Sequence, residues 1–207
     1  KGYNTCWAFA PLSCLESWLL KSESKVHSFS VNNMVTLHGY DHDGINKGSN
    51  GDVASAYLLR WGGPVNEADD PYVTANIGQK HELPAVRHVQ AVKWLPKRTG
   101  PLDNEVIKKA VMEFGSVDAG YLMIVNASEY KTSINAWDAE TASYYLGQPF
   151  TEEDFKEGLS NHAICVVGWD DDYSTDNFRV SPPGKGAFPR RARSSPRPSC
   201  ASTGLSR

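Results

Sequence analysis

The hydrophobic residues of this chain follow two periodicities, of which the helical one dominates the first third of the sequence. In the first third, apolar residues recur every three to four positions, as in amphipathic helices, whereas from His88 they alternate, as in half-buried strands. The predicted helices span residues 6–21, 31–38, 50–61 and 103–114, and the predicted strands span residues 88–94, 116–125 and 162–169. This segregation predicts an α+β fold with a helical lobe at roughly 1–84 and a strand-rich lobe at roughly 85–188.

Capping residues mark the ends of several predicted helices. Thr5 precedes the first helix, Asn50 the third and Asp103 the fourth, and each side chain can accept a hydrogen bond from a free amide of the first turn. The Gly-Gly-Pro run at 62–64 and Gly115 are stop signals, because glycine ends helices and proline cannot continue them.

The composition is that of a globular protein and carries no charge signature of a partner. Of the 207 residues, 40% are hydrophobic and 22% charged, and the formal net charge is -3. We expect no nucleic-acid partner, since such domains are typically basic. Apolar stretches such as 121–125 are far too short to cross a bilayer. Neither a start methionine nor a signal-like segment precedes Lys1, so we expect an excerpt of a longer chain.

The four cysteines, at positions 6, 14, 165 and 200, form no Cys-x-x-Cys pair, and we expect neither zinc nor a disulfide framework. Cys6 stands at the mouth of the first predicted helix, where unpaired amides and the helix dipole favour an anionic thiolate. This position predicts a nucleophile. The alternative is an inert cysteine buried beside Trp7 and Phe9.

Two runs of residues carry a family resemblance. Thr-Cys-Trp-Ala-Phe-Ala at 5–10 resembles the Ser-Cys-Trp-Ala-Phe signature around the nucleophile of papain-like cysteine proteases. Asn-His-Ala-Ile-Cys-Val-Val-Gly-Trp at 161–169 resembles the strand of the family's catalytic histidine, about 155 residues downstream, which is the usual order and spacing. The resemblance implies a papain-like two-lobe fold, with an active-site cleft between the helical lobe and a barrel-like strand-rich lobe.

The resemblance also implies a function. Cys6 would be the catalytic nucleophile and His162 its base in an enzyme that hydrolyses peptide bonds of peptide or protein substrates through a thioester. No cofactor and no metal are implied.

Substrate-binding residues follow from the same resemblance. Gly48 and Ser49 resemble the family's Gly-Gly pair, which hydrogen-bonds the substrate backbone, and the carbonyl of Asn161 would join them. Ala163 and the neighbourhood of Gly120 would shape the main side-chain pocket, where small residues leave room for a bulky apolar side chain.

Residues 61–65 and 69–72 resemble a bacterial and archaeal branch of the family, whose members often carry a lectin-like domain. This implies a possible covalently linked lectin-like domain and a secreted or cell-surface location for the full-length protein.

The chain departs from the family pattern at both ends. The family's oxyanion-hole glutamine would fall one residue before Lys1, and Tyr3 and Asn46 stand in place of a disulfide-bonded cysteine pair. After Phe188 the family continues into an Asn-Ser-Trp-Gly strand whose asparagine orients the histidine, and that strand is absent here. Residues 189–207 are instead rich in Arg, Ser and Pro, and we expect an aberrant, disordered tail, which a frameshift would explain.

These departures leave a second interpretation open. A non-catalytic papain-fold module could bind peptides or serve at a cell surface without cleaving them. The retention of both Cys6 and His162 favours the enzyme.

Two patterns that could indicate metal sites are weaker. His38 and His42 are four residues apart, but nearby glycines indicate that the helix has ended there. The acidic residues at 170–176 alternate like the start of a calcium loop but lack its sharp-turn glycine and terminal glutamate.

Overall fold

A computed structural model describes residues 3–123, 136–147 and 162–191. Its helices are α1 (Cys6–Glu23), α2 (Val31–Leu37), α3 (Gly51–Leu59) and α4 (Glu105–Phe114). Its strands are β1 (Val117–Tyr121), β2 (Trp137–Asp138), β3 (Ser143–Tyr144), β4 (His162–Val166) and β5 (Arg190–Arg191). Helices precede strands along the chain, as the α+β prediction requires.

The core of the first lobe lies where α1 packs against α2 and α3. Burying each large apolar side chain of this kind contributes about 1.5–3 kcal/mol, so the cluster anchors α1. Its buried members are Trp7, Ala8, Leu12, Leu19, Phe29, Val31, Met34, Val35, Val53, Ala54, Tyr57 and Leu58.

A buried carboxylate organises the polar interior of this lobe. Asp70 is fully buried, and its oxygens accept hydrogen bonds from the amide groups of Asn32 at 2.7 Å, Asn33 at 2.9 Å and Asn76 at 2.7 Å. His81 Nδ1 lies 3.2 Å from the same carboxylate. Because a buried polar group is costly unless it is hydrogen-bonded, these contacts determine how α2 and the 66–81 loop fit together.

The second lobe contains an antiparallel sheet in the order β1-β4-β5 and a separate β2-β3 ribbon. In the register of β1 and β4, Tyr121 is opposite His162, Gly120 opposite Ala163 and Asp118 opposite Cys165. Within the three described ranges, the strands form an open sheet and do not close into a barrel.

Helix α1 belongs to both lobes, because its other side packs against β4 and β1. Cys14 Sγ lies 3.4 Å from Cys165 Sγ, and a Cβ at Gly115 would lie 2.7 Å from Ser17 Oγ. Gly115 has a φ of +93° and leads from α4 into β1. The middle and later part of α1 thus packs against β4 and the turn that leads into β1.

The prediction of a strand at residues 88–94 is wrong, because this segment joins no described sheet. It runs over the first lobe, where Trp61 Nε1 donates a hydrogen bond to the Val89 carbonyl at 3.2 Å and the Trp61 ring stacks on His88. Val89 packs against the core while Trp94 is 65% exposed. Packing of one side against a lobe therefore produced the alternation without a strand partner.

Two predicted helix caps are also wrong, although Asn50 caps α3 as predicted. The Thr5 side chain makes no capping bond and instead hydrogen-bonds the Tyr72 hydroxyl at 2.7 Å. The Asp103 carboxylate accepts hydrogen bonds from Thr99, and α4 begins one residue later than this cap would require. In both cases a longer-range or loop partner competes successfully for the side-chain oxygen.

The beginning of the tail is paired with the sheet. The backbone of Arg190 and Arg191 pairs with Val166 and Cys165, and Val167 N donates to the Pro189 carbonyl at 3.3 Å. The expectation of an unpacked tail therefore does not hold for residues 189–191, and residues 192–207 lie outside the described part.

No helix in the described part of the chain combines the length and apolar character needed to cross a membrane.

Candidate active site

Cys6 is the first residue of α1 and is half-buried. The first amides of a helix have no acceptor within the helix. The side chain of Thr5, the residue at the cap position, accepts no hydrogen bond from these amides, and the first turn contains no acidic residue. The thiol therefore lies where the helix terminus favours negative charge.

A loop at 43–49 lies against the segment that leads into α1. Asn4 N donates to the Ile45 carbonyl at 2.8 Å, and Trp7 Nε1 donates to the Gly44 carbonyl at 2.8 Å. A Cβ at Gly48, whose φ is +78°, would lie 3.3 Å from the Asn4 carbonyl oxygen. Glycine is required both by this conformation and by the close approach. Gly48 and its neighbour Ser49 thus lie beside the residues that precede Cys6.

His162 is the first residue of β4 and is half-buried. Its imidazole packs against the ring of its register partner Tyr121, with ring centroids 5.6 Å apart. The Tyr121 ring in turn contacts Tyr144 of β3, and the Tyr144 hydroxyl donates to the Leu122 carbonyl at 2.7 Å. Aromatic packing therefore supports the imidazole on this side.

The packing of α1 on β4 brings Cys6 and His162 to the same end of the two elements. Ser17, late in α1, approaches Gly115, and β1 then pairs with the end of β4, so α1 and β4 run in the same direction. From the Cys14–Cys165 contact, Cys6 lies eight residues back, about 12 Å along a helix. His162 lies three residues back, about 10 Å along a strand.

Two of the residues predicted to shape the side-chain pocket are direct neighbours, because Gly120 and Ala163 are opposite each other in the register of β1 and β4. Gly120 is exposed and Ala163 is half-buried. Asn161, predicted to contribute its carbonyl, lies outside the described residues.

Sequence reasoning did not find the contact of Cys14 with Cys165, since nothing in their spacing relates a helix to a strand 151 residues away. The hydrogen bond between the thiols, with burial, raises the pKa of Cys14, so this cysteine remains a neutral thiol. It packs as a small apolar residue in the contact between α1 and β4, away from the end of the helix where Cys6 lies.

Sequence reasoning also did not single out Asp118. This carboxylate is on β1, opposite Cys165, and a Cβ at Gly51 of α3 would lie 3.6 Å from its Oδ2 and 3.5 Å from the Trp94 ring. Desolvation raises the pKa of Asp118 to about 6. The residue is nevertheless exposed, so this desolvation is partial. The signal that could have found it was an acidic residue in an otherwise small and apolar strand.

The His38 and His42 rings lie 4.5 Å apart between centroids, but no group of three or more potential metal ligands occurs in the regions the structure describes. His38 is buried against Trp7, and its Nδ1 accepts a hydrogen bond from Tyr40 N at 3.1 Å. Burial, with the nearby charge of His42, lowers the pKa of His38. This histidine supports the structure around Trp7.

Comparison with known families assigns the chain to one of them. A family model described as papain family cysteine protease matches residues 3–181. The chain therefore belongs to the papain family of cysteine proteases. Procathepsin L of Rattus norvegicus is 25% identical to it over 169 residues, which are 80% of this chain and 44% of the relative. The chain thus spans less than half the length of that relative.

Solved structures agree. The cysteine protease and lectin-like domains of Cwp84, a surface layer associated protein of Clostridium difficile, match with a TM-score of 0.68 and 29% identity, over 90% of this chain and 39% of that one. Clostridial Cwp84 after propeptide cleavage matches with a TM-score of 0.69 and 28% identity, over 90% of this chain and 44% of that one. Digestive procathepsin L 3 of Tenebrio molitor shares the fold, with a TM-score of 0.56 and 19% identity, over 82% of this chain and 50% of that one. The predicted resemblance to a bacterial branch with lectin-like domains is confirmed.

Proposed function

We propose that this chain is the body of a cysteine endopeptidase in which Cys6 is the nucleophile and His162 its general base and acid. The observation that carries the proposal is the parallel packing of α1 on β4, with Cys6 and His162 as the first residues of the two elements. A nucleophile and a base need to meet within hydrogen-bond reach, and a shared end of two packed elements allows it.

The proposed reaction is acyl transfer. His162 takes the thiol proton, and the Cys6 thiolate forms a C–S bond to the scissile carbonyl carbon. The tetrahedral oxyanion is stabilised by unpaired amides at the start of α1. His162 then gives its proton to the leaving amine as the C–N bond breaks, which leaves a thioester. Water, deprotonated by His162, cleaves that thioester and releases the acid.

The substrate would lie across the shared end of α1 and β4. We assign backbone recognition to Gly48, Ser49 and the carbonyl of Asn161, and the main side-chain pocket to Ala163 and Gly120. The 43–49 loop, which is tied to Asn4, supports the first assignment.

We further propose that activity is impaired in this chain because the residues after Phe188 lack the Asn-Ser-Trp-Gly segment of the family. Without the asparagine, the imidazole of His162 loses a partner that selects its tautomer and orientation. Within the part of the chain that the structure describes, β5 pairs with the far end of β4, opposite Cys165 and Val166.

For the full-length protein we propose a secreted or cell-surface location and a linked lectin-like domain. Support comes from Cwp84, which is a surface layer associated protein with a lectin-like domain.

Labelling with a peptidyl epoxide, which alkylates activated thiolates, tests the catalytic pair. We expect one adduct at neutral pH, on Cys6, that is absent from Cys6→Ala. His162→Ala should label at least 100-fold more slowly, since a positioned base contributes about 10²–10⁴-fold. Absence of labelling in the unsubstituted chain would favour the non-catalytic papain-fold module, and equal rates with and without His162 would remove this residue from the mechanism.

A further inference from the structure

Asp118 and the pocket residues lie on one face of the sheet. Side chains alternate along a strand, so Asp118 and Gly120 of β1 share a face with Cys165 and Ala163, which are opposite them in β4. Cys165 contacts Cys14 of α1, so this face is directed toward the helix. Asp118 therefore lies two residues from Gly120 on the same face that Gly120 and Ala163 line.

The opposite side of this space comes from the first lobe. Gly51 begins α3, and a Cβ there would touch both Asp118 Oδ2 and the Trp94 ring. Gly51 and the Trp94 ring therefore lie beside the carboxylate on this side. Gly51, Gly120 and Ala163 are all small, so their side chains occupy little of the space beside Asp118, which is exposed.

Asp118 has no partner of opposite charge in the described part of the chain. Its pKa is raised by desolvation alone, with no compensating hydrogen bond or cation. A flanked carboxylate without a partner is unfavourable for the fold, and a cationic group that supplies the missing charge relieves this cost. At neutral pH the group is ionised, because about 6 is below 7.

The distance suits a long side chain. Two residues along β1 separate Gly120 from Asp118, about 7 Å in a strand. Lysine and arginine have long apolar stems with a charged end, so they can pass small apolar walls and place the charge at the far end. An apolar residue of the same length would leave the carboxylate desolvated and unpaired.

We propose that Asp118 makes the cleft selective for peptides that place a lysine or arginine side chain in the pocket of Gly120 and Ala163. This inference rests on the proposed function for the location of the substrate, and it replaces the expectation of a bulky apolar preference. Recognition requires binding only, so it can be tested without turnover.

The test uses the full chain with Cys6→Ala, which removes the nucleophile. Fluorescein-labelled alanine-based hexapeptides that carry either lysine or norleucine at one position, scanned through the peptide, are titrated at pH 7.5 with fluorescence anisotropy. At one position we expect lysine to bind at least 10-fold more tightly than norleucine. Added Asp118→Asn should abolish this ratio, whereas added Asp172→Asn, which removes an exposed carboxylate in a distant turn, should preserve it.

A second measurement needs no further substitution, since lowering the pH to 4.5 should protonate Asp118 and shrink the same ratio. Among the described residues, the groups beside Asp118 include the thiols of Cys14 of α1, which is half-buried, and Cys165 of β4, which is buried, as well as the uncharged Gly51 and Trp94. Equal binding of the two peptides at every position, persistence of the ratio in Asp118→Asn, or no binding at all overturns the inference. Lysine-selective binding without any cleavage by a chain that keeps Cys6 and carries the family's Asn-Ser-Trp-Gly ending would overturn the protease and leave this inference standing, and cleavage by that chain without the preference would do the reverse.

Discussion

The thiols of Cys14 and Cys165 lie 3.4 Å apart, at the point where the helix that begins with Cys6 crosses the strand that begins with His162. This contact sets how the two elements are positioned along each other. A change in volume there would shift the ends of α1 and β4 relative to each other, because packed interiors transmit small displacements.

Alkylation should distinguish the three described cysteines. With iodoacetamide at pH 6 to 7, Cys6 should react in the native protein, while Cys14 and Cys165 should react only after unfolding, since both thiols are packed in the α1–β4 contact. Peptide mapping by mass spectrometry with and without 6 M urea measures this. Native-state labelling of Cys14 at the rate of Cys6 would contradict the packing.

Asp118 should cost stability at neutral pH. Its pKa in the fold, about 6, is above the unfolded value of about 3.9, so its contribution to stability is complete below pH 4 and declines as the pH rises through 6. Because the side chain is exposed, solvent screening limits the effect to less than about 1 kcal/mol. The melting temperature of Asp118→Asn should therefore be up to about 4 °C higher than that of the unsubstituted chain at pH 7, and the two should be equal at pH 4.

The matched control for that melting experiment is Asp172→Asn, which should change the melting temperature little at either pH. Stabilisation of equal size at pH 4 and pH 7 would mean that the effect of Asp118→Asn does not come from its charge.

Removing the buried carboxylate of Asp70 should destabilise the first lobe severely. In Asp70→Ala, three amide side chains lose their acceptor, and each buried donor left unsatisfied costs about 1–3 kcal/mol. We expect a loss of at least about 3 kcal/mol in urea unfolding. Asp69→Asn, at an exposed neighbour, should stay within about 0.5 kcal/mol, and similar losses for both would refute a special role of Asp70.

Restoring the family ending should restore function. Replacement of residues 189–207 by a sequence containing Asn-Ser-Trp-Gly should raise the melting temperature, since a buried aromatic side chain contributes about 3–5 kcal/mol. It should also raise Cys6-dependent peptide hydrolysis. A shuffled ending of equal length is the control. A repaired chain that melts higher but cleaves nothing from about pH 5 to 8, where a thiolate–imidazolium pair operates, would contradict the protease proposal.

Local signals predicted the fold where the partner of a residue is close in sequence. Asn50 caps α3 and Gly115 ends α4 as predicted, since both depend on neighbours within a few residues. Thr5 was predicted to cap α1, but its partner Tyr72 is 67 residues away. The prediction of a strand at 88–94 was wrong for the same reason. Alternation indicates which side of a segment is buried, but it does not identify the element that the segment packs against.

The same distinction between local and long-range partners applies to the candidate site. The motifs at Cys6 and His162 could be recognised because each is a short run of residues, and both begin the elements expected of them. Asp118 was missed because the acidic residue in a small, apolar strand does not by itself name a role, and only folding brings Gly51 and Trp94 near it.

Helix α1 packs against the first lobe on one side and the sheet on the other, and this has a consequence for dissection of the chain. Neither lobe can be expressed as an autonomous fragment without an exposed apolar surface, because whichever half keeps the helix presents its second face to water. Reassembly from two separately produced fragments should therefore succeed only when the break lies in a surface connection such as residues 96–101, which leaves α1 free to nucleate the first half and receive the second.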